Sequence, residues 1–108
     1  MESFERRKDG FERKFAHDEE LKFKAIARRN RLLGHWAAEK LGLSGADADA
    51  YARDVVKADF ESPGDEDVVR KIRTDFDAKN IAQSDHQIRR MMDELLVKAA
   101  EQIQAEKS

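Results

Sequence analysis

Apolar residues recur at intervals of three, four and seven along most of this chain, and that spacing constrains the fold more than any other feature of the sequence. It places the apolar side chains on one face of an α-helix, whereas a half-buried strand would need them at every second position. The stretch from Leu21 to Leu41 is therefore predicted to form a helix that ends at Gly42, a residue suited to a left-handed helix C-cap. Its predicted buried face comprises Phe23, Ile26, Leu33, Ala37 and Leu41, widened by Leu32 and Trp36.

Three further helices are predicted from the same spacing and from helix-end signals. The end signals are Ser44 or Gly45 at the start of the second helix, the break at Pro63 and Gly64, the acidic start of the third near Asp65, its stop at Asn80, and a capping box of Ser84 and Gln87 that opens the fourth. The predicted buried faces are Ala48, Tyr51, Ala52, Val55 and Phe60; Val68, Val69, Ile72 and Phe76; and Ile88, Met92, Leu95, Ala99 and Ile103. We therefore predict an all-α fold, a compact four-helix bundle over residues 19–108 with a flexible N-terminal arm over residues 1–18.

The arm is predicted because its aromatic residues are out of phase with the bundle. Phe4, Phe11 and Phe15 are separated by seven and four positions, but the same face then continues into charged residues. Gly10 weakens a helix by about 1 kcal/mol relative to Ala, so the arm is expected to be disordered or frayed when free and to fold on a partner. The alternative is that Phe11 and Phe15 pack on the flank of the bundle as an extension of the first helix, and periodicity does not separate the two.

Composition excludes several classes of protein. The chain has 108 residues, 41% of them charged, a formal net charge of −2 and no Cys, so one domain without disulfides or thiolate chemistry is expected. No apolar run has the length of a signal peptide core or of a membrane span. These features predict a cytoplasmic protein that is a monomer when free and does not insert into membranes.

Positive charge is concentrated between residues 21 and 41, which carry six basic residues against one acid, whereas residues 42–83 carry ten acids against six bases. The basic run could contact phosphates, but the acidic net charge and the compensating acids favour a match within the fold or a contact with another protein. Nucleic acid is not the expected partner. The candidate contact face comprises Lys22, Lys24, Arg28, Arg29 and Arg31.

Catalytic and metal-binding motifs are not found in the sequence. His17 stands beside three acids but has no second histidine nearby, and His35 and His86 are isolated. There is no phosphate-binding glycine motif and no sign of an activated nucleophile. The sequence therefore predicts no enzyme, no catalytic residues and no metal.

Three blocks of sequence carry a resemblance to a known family: KFAHDEELKFKAIARRNRLLGHWAAEKLGLSG, DFESPGDEDVVRKI and DHQIRRMMDELL. In this order they resemble the zeta subunit, the ATPase inhibitor subunit, of the F1Fo-ATP synthase of alphaproteobacteria, and the similarity covers essentially the whole chain. The resemblance implies a regulatory subunit whose N-terminal arm inserts as a helix between the alpha and beta subunits beside gamma and blocks ATP hydrolysis. It also implies a location at the cytoplasmic face of the inner membrane when the protein is bound to F1.

Carried onto this chain, the resemblance makes the arm the partner-binding element, with the residues Phe4, Arg6, Arg7, Phe11, Arg13, Lys14 and Phe15. It requires no cofactor, and it allows weak adenine-nucleotide binding at a place that the residues do not identify. The chain departs from the family pattern at Gly10, where Ala is usual, and at Arg6 and Arg7 after Phe4, where an acidic pair is usual; inhibitory strength is therefore left open. The alternative function is that of a small helical regulator that senses adenine nucleotides or binds nucleic acid.

Overall fold

The computed structural model describes residues 19–60 and 65–107, and all regular secondary structure in these ranges is helical. The four helices are α1 (Glu19–Lys40), α2 (Gly45–Ala58), α3 (Glu66–Ala78) and α4 (Asp85–Lys107). The all-α, four-helix prediction is confirmed. The predicted arm, residues 1–18, lies outside the described residues, as do Pro63 and Gly64.

The ends of α1 and α3 follow the predicted chemistry. Gly42 has φ +80° and Asn80 has φ +59°, so each adopts the left-handed conformation just after its helix. The next amide then closes the helix end: Leu43 N–H donates to the Ala38 carbonyl, and Ile81 N–H donates to the Phe76 carbonyl, both at 2.9 Å. Both ends thus satisfy carbonyl groups that would otherwise lack a partner.

The start of α4 is a capping box, as predicted. The backbone N–H of Gln87 donates to Ser84 Oγ at 3.1 Å, and the backbone N–H of Ser84 donates to Gln87 Oε1 at 2.8 Å. The reciprocal pair satisfies two amides at the helix start and fixes the position where α4 begins.

The main core lies where α1 meets the other three helices. It includes Leu33 of α1, Val55 of α2, Phe76 of α3 and Ile88 of α4, all 0% exposed. The Trp36 ring packs edge-on against Phe76 with the ring centroids 5.7 Å apart. The predicted apolar faces of all four helices therefore meet in one hydrophobic cluster.

A second cluster joins the N-terminal half of α1 to the C-terminal half of α4, through Ala25, Leu96, Ala100 and Ile103. Leu96 is buried here, whereas the predicted core residue Leu95 is partly buried against the main core. The second cluster holds the first turns of α1 on the bundle, next to the end of the segment that precedes Glu19.

Two predicted core residues are instead exposed, and the sequence prediction was wrong for both. Phe23 is 58% exposed and Phe60 is 62% exposed. Phe23 lies near the start of α1 and Phe60 lies just beyond the end of α2, where the apolar stripe continues past the surface that a neighbouring helix covers. The two rings pack against each other at the edge of the bundle, with centroids 5.8 Å apart.

Helices α1 and α2 approach closely at Gly34. A Cβ atom built on Gly34 would lie 2.6 Å from the Cα of Ala52, a separation that real Cβ atoms do not tolerate. Because the Cα of Ala52 belongs to the backbone, it can make room for a Cβ on Gly34 only if α1 and α2 move apart. Gly34 is therefore the residue that sets the distance between these two helices.

We expect Gly34→Ala to destabilise the protein by about 1–3 kcal/mol, because overpacking at the helix contact exceeds the gain of roughly 1 kcal/mol in helix propensity. Urea denaturation followed by circular dichroism measures the change. Gly42→Ala is the control: nothing lies within 4 Å of its added Cβ, and only its φ of +80° opposes the substitution. A Gly34→Ala protein more stable than the wild type would contradict the close packing.

Candidate functional site

The residues predicted for the arm have no described position. Phe4, Arg6, Arg7, Phe11, Arg13, Lys14 and Phe15 all lie in residues 1–18, outside the described part of the chain. Their role as partner-binding residues stays a prediction. The predicted contact face on α1, in contrast, lies within the described bundle.

The structure separates the five cations of this predicted face. Lys22, Lys24 and Arg31 are exposed, and Arg28 is half-buried with its Nη1 2.7 Å from Glu106 Oε1 of α4. Arg29 points inward and is only 4% exposed. It therefore does not lie on the same side of α1 as Lys24, Arg28 and Arg31, which line one cleft that does not include Lys22.

Arg29 is held in a polar network at the junction of α1 with the start of α3. Its Nη2 donates to Asp65 Oδ1 at 2.8 Å, and its Nε and Nη2 donate to Asn30 Oδ1 at 3.0 and 2.8 Å. The predicted attraction between the basic stretch 21–41 and the acidic stretch 42–83 is thus realised in the Arg29–Asp65 pair. Burial raises the pKa of the neighbouring Asp59 carboxyl, and attraction to Arg29 only partly opposes that increase.

We expect Asp65→Asn to lower the free energy of unfolding by about 2 kcal/mol, because it removes the carboxylate charge that hydrogen-bonds the buried guanidinium of Arg29. This expected loss is smaller than the loss from breaking a fully buried ion pair, because the Asp65 side chain is 46% exposed. The matched control is Glu66→Gln, which breaks an equally short ion pair, 2.7 Å to Arg89, between two exposed side chains. Its expected effect is below about 1 kcal/mol. Equal losses in denaturant titrations of the two variants would show that Arg29 does not depend on Asp65.

An open cleft of about 880 Å³ lies beside the exposed part of the basic face. It runs between the N-terminal half of α1, the outer side of α2 and the C-terminal end of α4. Its charged lining consists of Lys24, Arg28, Arg31 and Arg53 against Asp49 and Glu106. The cleft thus has an excess of positive charge in a chain whose formal net charge is −2.

Apolar side chains share the cleft with these charges. Phe23, Val56 and Ile103 are among them, and Phe60 packs on Phe23. The sequence prediction missed Arg53 because only the packing of α2 on α1 brings it to the cleft that Arg31 also lines. It missed the two phenylalanines because their apolar character placed them in the core stripes.

Other titratable groups of the bundle form structural contacts. His35 Nε2 lies 3.7 Å from Asp49 Oδ1 across the α1–α2 contact. The Tyr51 hydroxyl donates to Asp75 Oδ2 at 2.7 Å, and burial together with this carboxylate raises the pKa of Tyr51 well above its usual value. The phenol therefore stays protonated and serves as a hydrogen-bond donor that ties α2 to α3.

In residues 19–60 and 65–107 no group of three or more His, Asp or Glu side chains is arranged to hold a metal ion. Over the same ranges no helix combines the length and the apolar character needed to span a membrane.

The chain is similar to a protein of known structure. One similar solved structure, determined by solution NMR, is 48% identical in sequence and has a TM-score of 0.71. The match covers 80% of this chain and 98% of that chain. A search of curated proteins gives no match.

The sequence profile of one family, the ATPase inhibitor subunit zeta, matches residues 1–102. The match includes both the predicted arm and nearly all of the bundle, in agreement with the resemblance seen in the sequence blocks. The chain belongs to the ATPase inhibitor subunit zeta family.

Proposed function

We propose that this protein binds the F1 part of an F1Fo-ATP synthase and inhibits ATP hydrolysis by inserting residues 1–18, as a helix, between an alpha and a beta subunit beside gamma. The observation that carries the proposal is the family match over residues 1–102, which extends through the arm as well as the bundle. The spacing of Phe4, Phe11 and Phe15 supports it, since three aromatic anchors on one face of a helix suit an apolar groove.

The proposed inhibition needs no chemistry from the inhibitor. A rotary ATPase works only if each alpha/beta interface opens and closes as gamma turns, so a helix that binds one interface state stabilises that state and arrests the cycle. Burial of the three phenylalanines stabilises the bound arm, and Arg6, Arg7, Arg13 and Lys14 orient it at the rim. The protein acts as a regulatory subunit and not as an enzyme.

The bundle has a separate part in the proposal. By binding the outer face of the ATPase, it holds the arm at a high effective concentration near its groove. The exposed cations Lys22, Lys24 and Arg31 of the predicted contact face and the half-buried Arg28 belong to this second interaction, which takes place at the cytoplasmic face of the inner membrane. The protein requires no cofactor in this role, and weak adenine-nucleotide binding is a separate proposal.

The test is an ATP hydrolysis assay of F1 with added full-length protein and its variants. Phe11→Ala and Phe15→Ala are each expected to weaken inhibition by about 2 kcal/mol, which is roughly 30-fold in the inhibition constant. Circular dichroism melting of each variant serves as the folding control and should match the wild type. Wild-type inhibition by both variants would contradict the proposed role of the arm.

A further inference from the structure

An exposed aromatic pair, Phe23 and Phe60, lies at the edge of the bundle. Among the residues that the structure describes, Phe23 and Phe60 are the large hydrophobic side chains classed as exposed, and they contact each other although they are far apart in sequence. A single exposed phenylalanine is common on a protein surface and needs no explanation. Two exposed rings that contact each other at a tilt of 36°, one of them lining the cleft, form an apolar patch of the kind found at protein interfaces.

The charge around the patch indicates the character of its partner. Arg28 is paired with Glu106, but Arg31 and Arg53 have no ion-pair partner among the described residues. Aromatic and arginine side chains together are typical of the residues that dominate binding energy at protein interfaces. The complementary surface would be acidic and would place an apolar side chain against the two rings.

The position of the patch relates it to the arm. Phe23 follows Glu19, the first residue of α1, by four positions, which corresponds to about 6 Å along a helix. The segment 1–18 therefore joins the bundle next to the patch. A partner bound here would lie close to the point where the arm leaves the bundle, so arm and bundle would engage the same target without a long connection.

We infer that Phe23 and Phe60, together with Arg31 and Arg53, form the surface by which the bundle docks on an acidic patch of the ATPase that the arm inhibits. This inference rests on the proposed function and identifies the second contact of the same complex. This surface does not include Arg29, which the sequence analysis placed in the contact face and which is buried. The docking surface adds to the affinity that the arm phenylalanines supply, whereas only the arm blocks the enzyme.

The experiment measures two quantities on full-length protein: the Kd of fluorescently labelled protein for purified F1, and the residual ATP hydrolysis at saturation. Phe23→Ser and Phe60→Ser are each expected to raise the Kd on the order of tenfold, and Phe60→Tyr, which keeps the ring, should retain wild-type affinity. Inhibition at saturation should stay at the wild-type level because the arm is intact. Melting curves should be unchanged, since both rings are exposed.

The contribution of charge is tested with Arg31→Glu and Arg53→Glu. Each is expected to slow association and to reduce the dependence of the Kd on salt concentration. Lys79→Glu is the matched control, because Lys79 is exposed and does not line the cleft. It should leave the Kd near the wild-type value.

The outcomes are distinguishable. If the wild type neither binds nor inhibits F1, the proposed function fails and the docking surface fails with it. If the wild type inhibits but both serine variants keep the wild-type Kd, the arm proposal stands and the docking surface is overturned. If sedimentation instead shows that the wild type self-associates and that Phe23→Ser does not, the Phe23–Phe60 pair is a contact between two copies of this chain. Loss of ATP binding to the free Arg31→Glu protein, with an unchanged Kd for F1, would make the cleft a nucleotide site. Both of these results would overturn the inference.

Discussion

Removal of residues 1–17 is expected to abolish inhibition of F1 while leaving the bundle folded. Among the described residues, the core clusters are built from the four helices, and their first member along the chain is Ala25, with Leu21 packed against it. Loss of all three arm phenylalanines removes several hot-spot anchors at once, so the inhibition constant should rise by more than about 100-fold. The ATP hydrolysis assay measures the loss, and thermal melting measures the fold.

The matched control for the deletion replaces residues 1–17 by a Gly/Ser segment of equal length. It keeps the chain length and removes the aromatic anchors, so it should behave as the deletion does. A fall in melting midpoint of more than about 10 °C in either protein would mean that the segment is part of the core, since that shift exceeds the effect of about 1 kcal/mol in a domain of this size. Strong residual inhibition by the truncated protein would place the inhibitory element in the bundle.

Phe76→Ala is expected to be the most destabilising single substitution considered for this chain. Phe76 is fully buried in the main core and packs against Trp36 of α1, so the substitution leaves a large cavity between α3 and α1. Such changes cost about 3–5 kcal/mol, which is a large share of the roughly 5–15 kcal/mol that stabilises a typical domain. The melting midpoint followed by far-ultraviolet circular dichroism should fall by more than about 12 °C.

Phe60→Ala is the matched control for Phe76→Ala, because it makes the same chemical change at a side chain that is 62% exposed. Its expected effect on stability is within about 0.5 kcal/mol. Phe60→Ala also tests the docking surface, because it should weaken binding to F1 while leaving the fold intact. Similar losses of stability at the two positions would contradict the description of the core.

The helices could be predicted from sequence because their signals are local. Gly42 and Asn80 end helices through their own backbone conformations, and Ser84 with Gln87 caps a helix within four residues. These interactions do not depend on which helix packs against which. These helix ends and the four-helix fold were therefore predicted correctly, whereas the contacts of individual surface residues were predicted only in part.

The surface could be predicted only in part because it depends on neighbours in space. Successive residues of a helix differ in direction by about 100°, so within a run of arginines only the packing of the other helices determines which one turns inward. Arg29 lies four positions from both Ala25 and Leu33, which are buried, and this spacing was the available signal for its burial. Phe23 and Phe60 carried no such signal, since apolar periodicity does not show where the covering helix ends.

The proposed function is that this chain inhibits ATP hydrolysis through its arm while the bundle docks the arm on the enzyme. The most direct measurement is the steady-state ATP hydrolysis rate of purified F1 titrated with the full-length protein, alongside the Gly/Ser-arm protein at the same concentrations. The account predicts a saturable fall in rate with the full-length protein and an unchanged rate with the Gly/Ser-arm protein. A rate that stays constant as full-length protein is added, or one that falls equally with both proteins, would contradict it.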